Sequence, residues 1–165
     1  MKKRAFVKAP MQQPGVSVII LTWNGYALVR ECLPKIVTAL TSWRGAYEII
    51  LVDNGSNDET VSYVTRRYPD ITVIALSRNT GFSHANNVAS RRARFDKLLF
   101  LNNDVVIEST CLDVMVRGIG ADDVFAVAPR ILRWDRCTID DGLRYGYYED
   151  GLFSVCLEQD KEKIM

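Results

Sequence analysis

Three short polar segments hold the side chains whose types and spacing could do chemistry: Thr22 with Asn24, Asp53, and Asn102-Asn103-Asp104. Each comes straight after an apolar run. Val16-Ser17-Val18-Ile19-Ile20-Leu21 stops at Thr22, Ile49-Ile50-Leu51-Val52 stops at Asp53, and Leu98-Leu99-Phe100-Leu101 stops at two amides and a carboxylate. A buried strand that ends this way has polar groups at its tip. In open parallel sheets the C-terminal strand tips line the edge where ligands bind. Asp104 with its amide neighbours has the hard oxygen chemistry that suits a divalent cation, Mg²⁺ or Mn²⁺, and such a cation can carry a diphosphate. An acid at the end of a second strand, as at Asp53, suits ribose hydroxyls.

The elements that must position these tips follow from hydrophobic periodicity. The first two apolar runs are continuous and β-branched, which marks buried strands. Between them Val29, Cys32, Leu33, Ile36 and Leu40 recur at helical spacing, with Pro34 expected to kink or restart that helix. Ser56 and Glu59 have capping-box spacing ahead of a helix with Val61, Val64 and Tyr68 on one face. Ile71 to Leu76 reads as a third strand, Gly81 to Arg94 as a helix, and Lys97 to Leu101 as a fourth strand. Ser109 is placed to open a short helix bearing Leu112, Met115, Val116 and Ile119, and Val124 to Ala128 reads as a fifth strand stopped by Pro129. Alternating strands and helices call for a parallel sheet with right-handed crossovers. That topology brings the three polar tips to one edge.

Composition narrows the function classes. The chain has 165 residues, about one domain, with 21 basic and 20 acidic side chains. That balance argues against binding nucleic acid by bulk charge. Cys32, Cys111, Cys137 and Cys156 are widely spaced without a C-x-x-C, as expected of reduced thiols in a cytoplasmic protein. The basic start Met1-Lys2-Lys3-Arg4 is not followed by an apolar stretch, and no run nears the roughly 20 apolar residues of a membrane span. Residues 1–14 read as a flexible leader, 15–129 as the core, and 130–165 as an irregular tail or the start of something longer.

A dinucleotide site fails on the first turn. Thr22-Trp23-Asn24-Gly25-Tyr26 lacks the G-x-G-x-x-G that seats a pyrophosphate on the following helix, and no G-x-x-x-x-G-K-[ST] is present. The acid without the glycines points to a nucleotide whose phosphates are held elsewhere, and Asp104 offers that place.

Four segments, in order, resemble the family 2 glycosyltransferases of GT-A fold: Val18 to Asn24, Ile49 to Thr60, Asn79 to Asn87, and Leu99 to Asp104. The similarity covers residues 16–108 and comes nearest the rhamnosyltransferase-like branch that builds bacterial cell-surface polysaccharides. It implies an α/β, Rossmann-like, mostly parallel sheet with helices on both faces. It also implies an inverting enzyme that moves a sugar from a nucleotide-diphosphate donor to a glycan or lipid-linked acceptor, in the cytoplasm at the inner face of the membrane, with peripheral membrane association. By the same resemblance, Thr22 and Asn24 lie where the first strand meets the nucleotide and Asp53 binds base or ribose. Asn79, Gly81 and the loop to Asn87 line the nucleotide pocket. Asn102-Asn103-Asp104 takes the D-x-D position, with Asn103 facing the donor and Asp104 holding Mg²⁺ or Mn²⁺. The neutral Asn102 departs from a strict D-x-D and weakens the expected metal affinity.

The catalytic base is left unassigned. Tyr147-Tyr148-Glu149-Asp150 looks superficially like the family's base motif, but it comes early and lacks a preceding Gly-Phe-Asp. Only 61 residues follow Asp104, so the chain reads as truncated after the donor-binding half, with apolar surface left for pairing in a homo-oligomer. Two other readings stand beside the enzyme: a non-catalytic nucleotide-sugar-binding or assembly module, and a nucleotidyltransferase, which would need a glycine-rich basic loop near its first strand. Plainer roles also compete residue by residue. Asp53 suits a helix cap, Asn102 to Asp104 a simple turn, His84 a polar helix start, and Arg91, Arg92 and Arg94 a solvated helix face. Trp23 and Trp43 suit packing, although Trp23 sits beside the proposed pocket.

Overall fold

The parallel alternation expected from the periodicity builds a four-stranded sheet in the order β3-β2-β1-β4. The computed structural model describes residues 13–120, 124–141, 144–149 and 152–157, and it divides between Ser109 and Thr110 into two units. The first unit runs β1 (Gln13–Thr22), α1 (Tyr26–Ser42), β2 (Tyr47–Asp53), α2 (Thr60–Arg67), β3 (Thr72–Ala75), α3 (Phe82–Ser90) and β4 (Phe95–Asn102). All three strand pairings are parallel. The chain adds β2 and β3 on one side of β1, then returns to place β4 on the other. With right-handed crossovers, that reversal puts α1 and α2 on one face of the sheet and α3 on the other. It also makes the β1/β4 seam the topological switch point, where such sheets open to ligands.

The core follows the pleat. Ile19, Ile50 and Val52 form one buried cluster with Ala85 and Ala89 of α3, and small alanines let that helix lie close to the strands. Val18, Ile20 and Leu51 alternate to the opposite face, while α1 buries Val29, Cys32, Leu33, Ile36 and Leu40. Each such aliphatic side chain contributes about 1.5–3 kcal/mol by leaving water. α1 runs through Pro34 as one helix, so of the kink or restart expected there the restart does not occur. Burial also pushes the Cys32 thiol pKa upward. Trp43 packs its indole over Gly45.

Four expectations change in detail. β1 begins at Gln13, inside the stretch read as a leader. The Ser56/Glu59 capping box does not form, because Ser56 is drawn into turn contacts and Asp58 Oδ1 instead accepts from Thr60 N at 3.0 Å. α3 ends at Ser90, and Arg94, expected on a solvated helix face, pairs with Glu48 of β2 at 3.0 Å. Val124 to Ala128 is not a strand. It has no partner ladder, and Phe125 is almost fully exposed, so β-propensity has no packing to act through.

The second unit holds most of α4 (Ser109–Gly118), with Leu112 buried. Two antiparallel pairs follow: β5 (Ile131–Leu132) with β6 (Ile139–Asp141), and β7 (Arg144–Glu149) with β8 (Leu152–Leu157). The stretch read as an irregular tail or the start of something longer therefore contains antiparallel pairing, with a register shift between Ile131 and Leu132. Between β5 and β6, Asp135 Oδ1 accepts from Cys137 N and Thr138 N and closes the turn. Among the described residues no helix is long and apolar enough to cross a membrane.

Candidate functional site

Strand register brings the polar tips level. Thr22 pairs with Asp53 across β1/β2, and Leu21 pairs with Asn102 across β1/β4. Above these tips lies a cleft of about 480 Å³ lined by Thr22, Asn24, Asn54, Asn79, Gly81, Asn102, Asn103 and Asp104, with Leu21, Trp23, Gly25, Leu28 and Phe82 beside them. Six of the eight site residues expected from the sequence therefore meet in one place. Asp53 sits below the floor, 2% exposed, and Asn87 is exposed on α3 outside the lining. His84 is exposed in the first turn of α3.

Side-chain amides knit the tips together. Asn103 Nδ2 donates to Thr22 Oγ1 at 3.0 Å, tying β4 to β1 across the switch point. That bond passes over Gly25, where any Cβ would collide with the Asn103 amide and the Thr22 hydroxyl. Asn24, in the left-handed region at φ 48°, donates its backbone N–H to Ser56 Oγ (2.8 Å) and accepts from Asn57 N on Oδ1 (2.9 Å). Tyr26 N donates to Asp58 Oδ2 at 2.9 Å, so one carboxylate serves the first turns of both α1 and α2. Burial pushes the Asp58 carboxyl up, but hydrogen bonds from Thr60 and Tyr26 outweigh it and hold the group below its ordinary value. Gly55, at φ +79°, brings its turn so close to Arg78 that a Cβ would lie 2.5 Å from the Arg78 backbone.

Asp53 divides its two oxygens. Oδ2 accepts from Ser56 N at 3.0 Å, a turn bond; Asp53 does not cap α2, the plainer role considered for it, because that helix begins only at Thr60. Oδ1 is buried and has no hydrogen-bond partner. A buried acceptor without a donor costs free energy, and Thr60 Oγ1 at the start of α2 is in the same position; neither residue lines the cleft.

Neither Asn54 nor Leu28 is singled out by the sequence as a site residue, while Phe82 falls within the loop to Asn87 that the resemblance assigns to the pocket. Phe82 (61% exposed), Trp23 (56%) and Leu28 (43%) leave apolar surface around a polar floor, so Trp23 is not a packing residue here. For a divalent cation, the exposed Asp104 carboxylate and the Asn102 amide are hard oxygen donors of the right chemistry. Among the described residues there is no group of three His, Cys, Asp or Glu that would cage an ion. The set therefore fits a cation that shares its coordination with ligand phosphates, as Mg²⁺ commonly does. Glu149 ends β7, and Asp150 lies outside the described residues.

Residues 17–162 match the sequence profile of Glycosyl transferase family 2. The chain belongs to that family. Among relatives of this family 2 chain, a poly(ribitol-phosphate) beta-glucosyltransferase of Bacillus spizizenii is 32% identical over 101 residues, covering 59% of this chain and 16% of the relative. A hyaluronan synthase of Pasteurella multocida is 29% identical over 134 residues, covering 78% and 14%. Among solved structures, the mannosyltransferase PcManGT of Pyrobaculum calidifontis, in complex with GDP-Man and Mn²⁺, superposes with TM-score 0.59 at 26% identity, covering 74% of this chain and 37% of that one. TarS 1–349 of S. aureus in complex with UDP-GlcNAc gives TM-score 0.53 at 27% identity, covering 64% and 31%. The fold is GT-A, as the resemblance implied. The family 2 chain spans about a sixth of the length of the first two relatives.

Proposed function

We propose that the cleft binds a nucleotide-diphosphate sugar and that the protein transfers the sugar, with inversion, to a hydroxyl of a glycan or lipid-linked acceptor. The single observation that carries this reading is the polar cleft at the β1/β4 switch point, which has an open buried carboxylate oxygen beneath it and an exposed carboxylate at its rim. The family membership and the donor complexes of two structural neighbours support it. Asp53 Oδ1 accepts from the nucleoside, the 79–81 loop and Thr22 shape its seat, and Asn102 with Asp104 face the diphosphate. Mg²⁺ or Mn²⁺ held at Asp104 would offset the negative charge that grows on the leaving diphosphate. The polar floor orients the donor while the exposed side of the cleft leaves the anomeric carbon open to the incoming hydroxyl. That hydroxyl must give its proton to a carboxylate base. The rhamnosyltransferase-like branch is the narrower version of the same proposal.

A thermal-shift panel of UDP, GDP and dTDP, with and without Mn²⁺, tests the donor site. A ligand that binds only the native state raises its melting temperature. We expect a shift with at least one nucleotide that is reduced in Asp53→Ala and, for the Mn²⁺-dependent part, in Asp104→Ala. No shift with any nucleotide would overturn the reading. Binding without donor turnover would leave a nucleotide-sugar-binding module in place of an enzyme.

A further inference from the structure

Asn54 is 3% exposed at the end of β2, and its backbone N–H donates to Thr22 O at 2.8 Å. Its side chain is spent entirely on one three-residue loop. Oδ1 accepts from Thr80 N (2.9 Å) and Thr80 Oγ1 (3.1 Å), and Nδ2 donates to Asn79 Oδ1 (3.0 Å) and Gly81 O (3.4 Å). The amide orientation is fixed by its partners, because a backbone N–H can only donate and a backbone carbonyl can only accept. The Asn79 oxygen that receives Nδ2 also accepts from Gly81 N at 2.9 Å, so the loop closes on itself through Asn54. An asparagine side chain has two N–H donors and two acceptor lone pairs. Here all four are in use, although Asn54 lines the cleft.

We propose that Asn54 is the positioning residue of this cleft: it holds residues 79–81 in the shape that completes the nucleotide seat and makes no hydrogen bond to the ligand itself. The contrast with its neighbour is direct. Asp53 keeps one oxygen open for a ligand, whereas Asn54 has none to offer. The inference rests on the donor-site reading for what the loop is for, and on the hydrogen bonds alone for what holds the loop.

The test pairs two readouts on the full chain: calorimetric affinity for UDP, GDP and dTDP with Mn²⁺, and amide hydrogen exchange at Thr80 and Gly81. In Asn54→Ala we expect faster exchange at both amides, unchanged exchange at Ile50 and Leu51, and nucleotide binding weakened about tenfold. Thr80→Val removes only the hydroxyl bond and should move both readouts the same way by about threefold. Affinity that falls while loop exchange stays unchanged would mean Asn54 touches the ligand, and would overturn the proposal. So would loop exchange that rises with affinity unchanged. If Asn54→Ala does not fold, Thr80→Val decides between these outcomes by the same two measurements. If the unmodified chain binds none of the three nucleotides, the donor reading fails, and the clasp is then judged by exchange alone. Thr80 and Gly81 amides that exchange as fast in the unmodified chain as in Thr80→Val would sink it.

Discussion

The two ends of the same sheet use their polar groups in opposite ways. At the N-terminal end of β2, Glu48 is fully engaged. Oε1 accepts from Ser17 Oγ (2.7 Å) and Arg94 N (2.6 Å), Oε2 accepts from Arg94 Nε (3.0 Å), and Ser17 Oγ in turn accepts from Phe95 N (3.2 Å). At the C-terminal end of the same strand, Asp53 keeps Oδ1 buried and open. Glu48 lies among β1, β2 and the start of β4, Asp53 between β1 and β3, and both are largely out of water, with the Glu48 side chain 8% exposed. One network is closed and fastens β4 to β1 and β2. The other is closed everywhere except at one atom. Two buried carboxylates on one strand thus differ in how their oxygens are spent.

That comparison can be broken most forcefully at Glu48. Glu48→Ala leaves Ser17 Oγ and Arg94 N without their acceptor, and should lower unfolding free energy by about 3 kcal/mol in urea titrations. The affinity of whatever nucleotide the chain binds should stay unchanged. A loss under about 1 kcal/mol would show that the closed end is not a fastening. Gly25→Ala comes next. Its new methyl collides with the Asn103–Thr22 hydrogen bond, so a loss of about 1–3 kcal/mol is expected, together with weaker nucleotide binding. Asp53→Asn sharpens the contrast. It keeps an oxygen for Ser56 N but puts an NH₂ group where Oδ1 had no partner, so the melting temperature should fall slightly while nucleotide affinity falls about tenfold. A clear drop in melting temperature without a change in affinity would turn Asp53 into a second Glu48.

The smallest effect is a pH slope. The Asp58 pKa is depressed in the folded chain, so folded Asp58 binds its proton less readily than unfolded Asp58. Its stabilising contribution is complete above the ordinary aspartate pKa of about 3.9 and is lost as pH falls through the folded value. Asp58→Asn should therefore flatten the acid limb of a stability curve measured between about pH 5 and pH 2. An unchanged slope would show that bridging the first turns of α1 and α2 does not select the charged form.

Much of the fold was legible in the residues. Val16 to Leu21 and Ile49 to Val52 are runs whose only comfortable place is a sheet covered on both faces, and β1 and β2 lie there, whereas Leu98 to Leu101, expected to be buried, forms the edge strand β4 with Phe100 48% exposed. The departures share a cause. Val124 to Ala128 has strand composition but finds no ladder, and Ser56 has cap spacing but is claimed by Asn24 from another loop. In both, a local preference of about 1 kcal/mol is decided by partners distant in sequence, which are missing for Val124 to Ala128 and present for Ser56. The site shows the same division. Thr22, Asp53 and Asp104 stand out because each ends an apolar run, whereas the work of Asn54 depends on residues 25–27 positions away.

The sequence by itself determined the alternation of β1 to β4 with α1 to α3, that the polar tips of these strands share one edge, and which family the motifs resemble. The first two follow from periodicity and from the handedness of parallel crossovers, the third from the four motif segments themselves. Only the tertiary structure decided how each polar atom is spent. It shows that Asn103 fastens β4 to Thr22, that Asn54 is saturated by the 79–81 loop, and that Asp53 retains one open oxygen. The physical reason is that hydrogen-bond capacity is a property of the atom, while its use depends on the geometry of neighbours brought together from up to 81 residues apart.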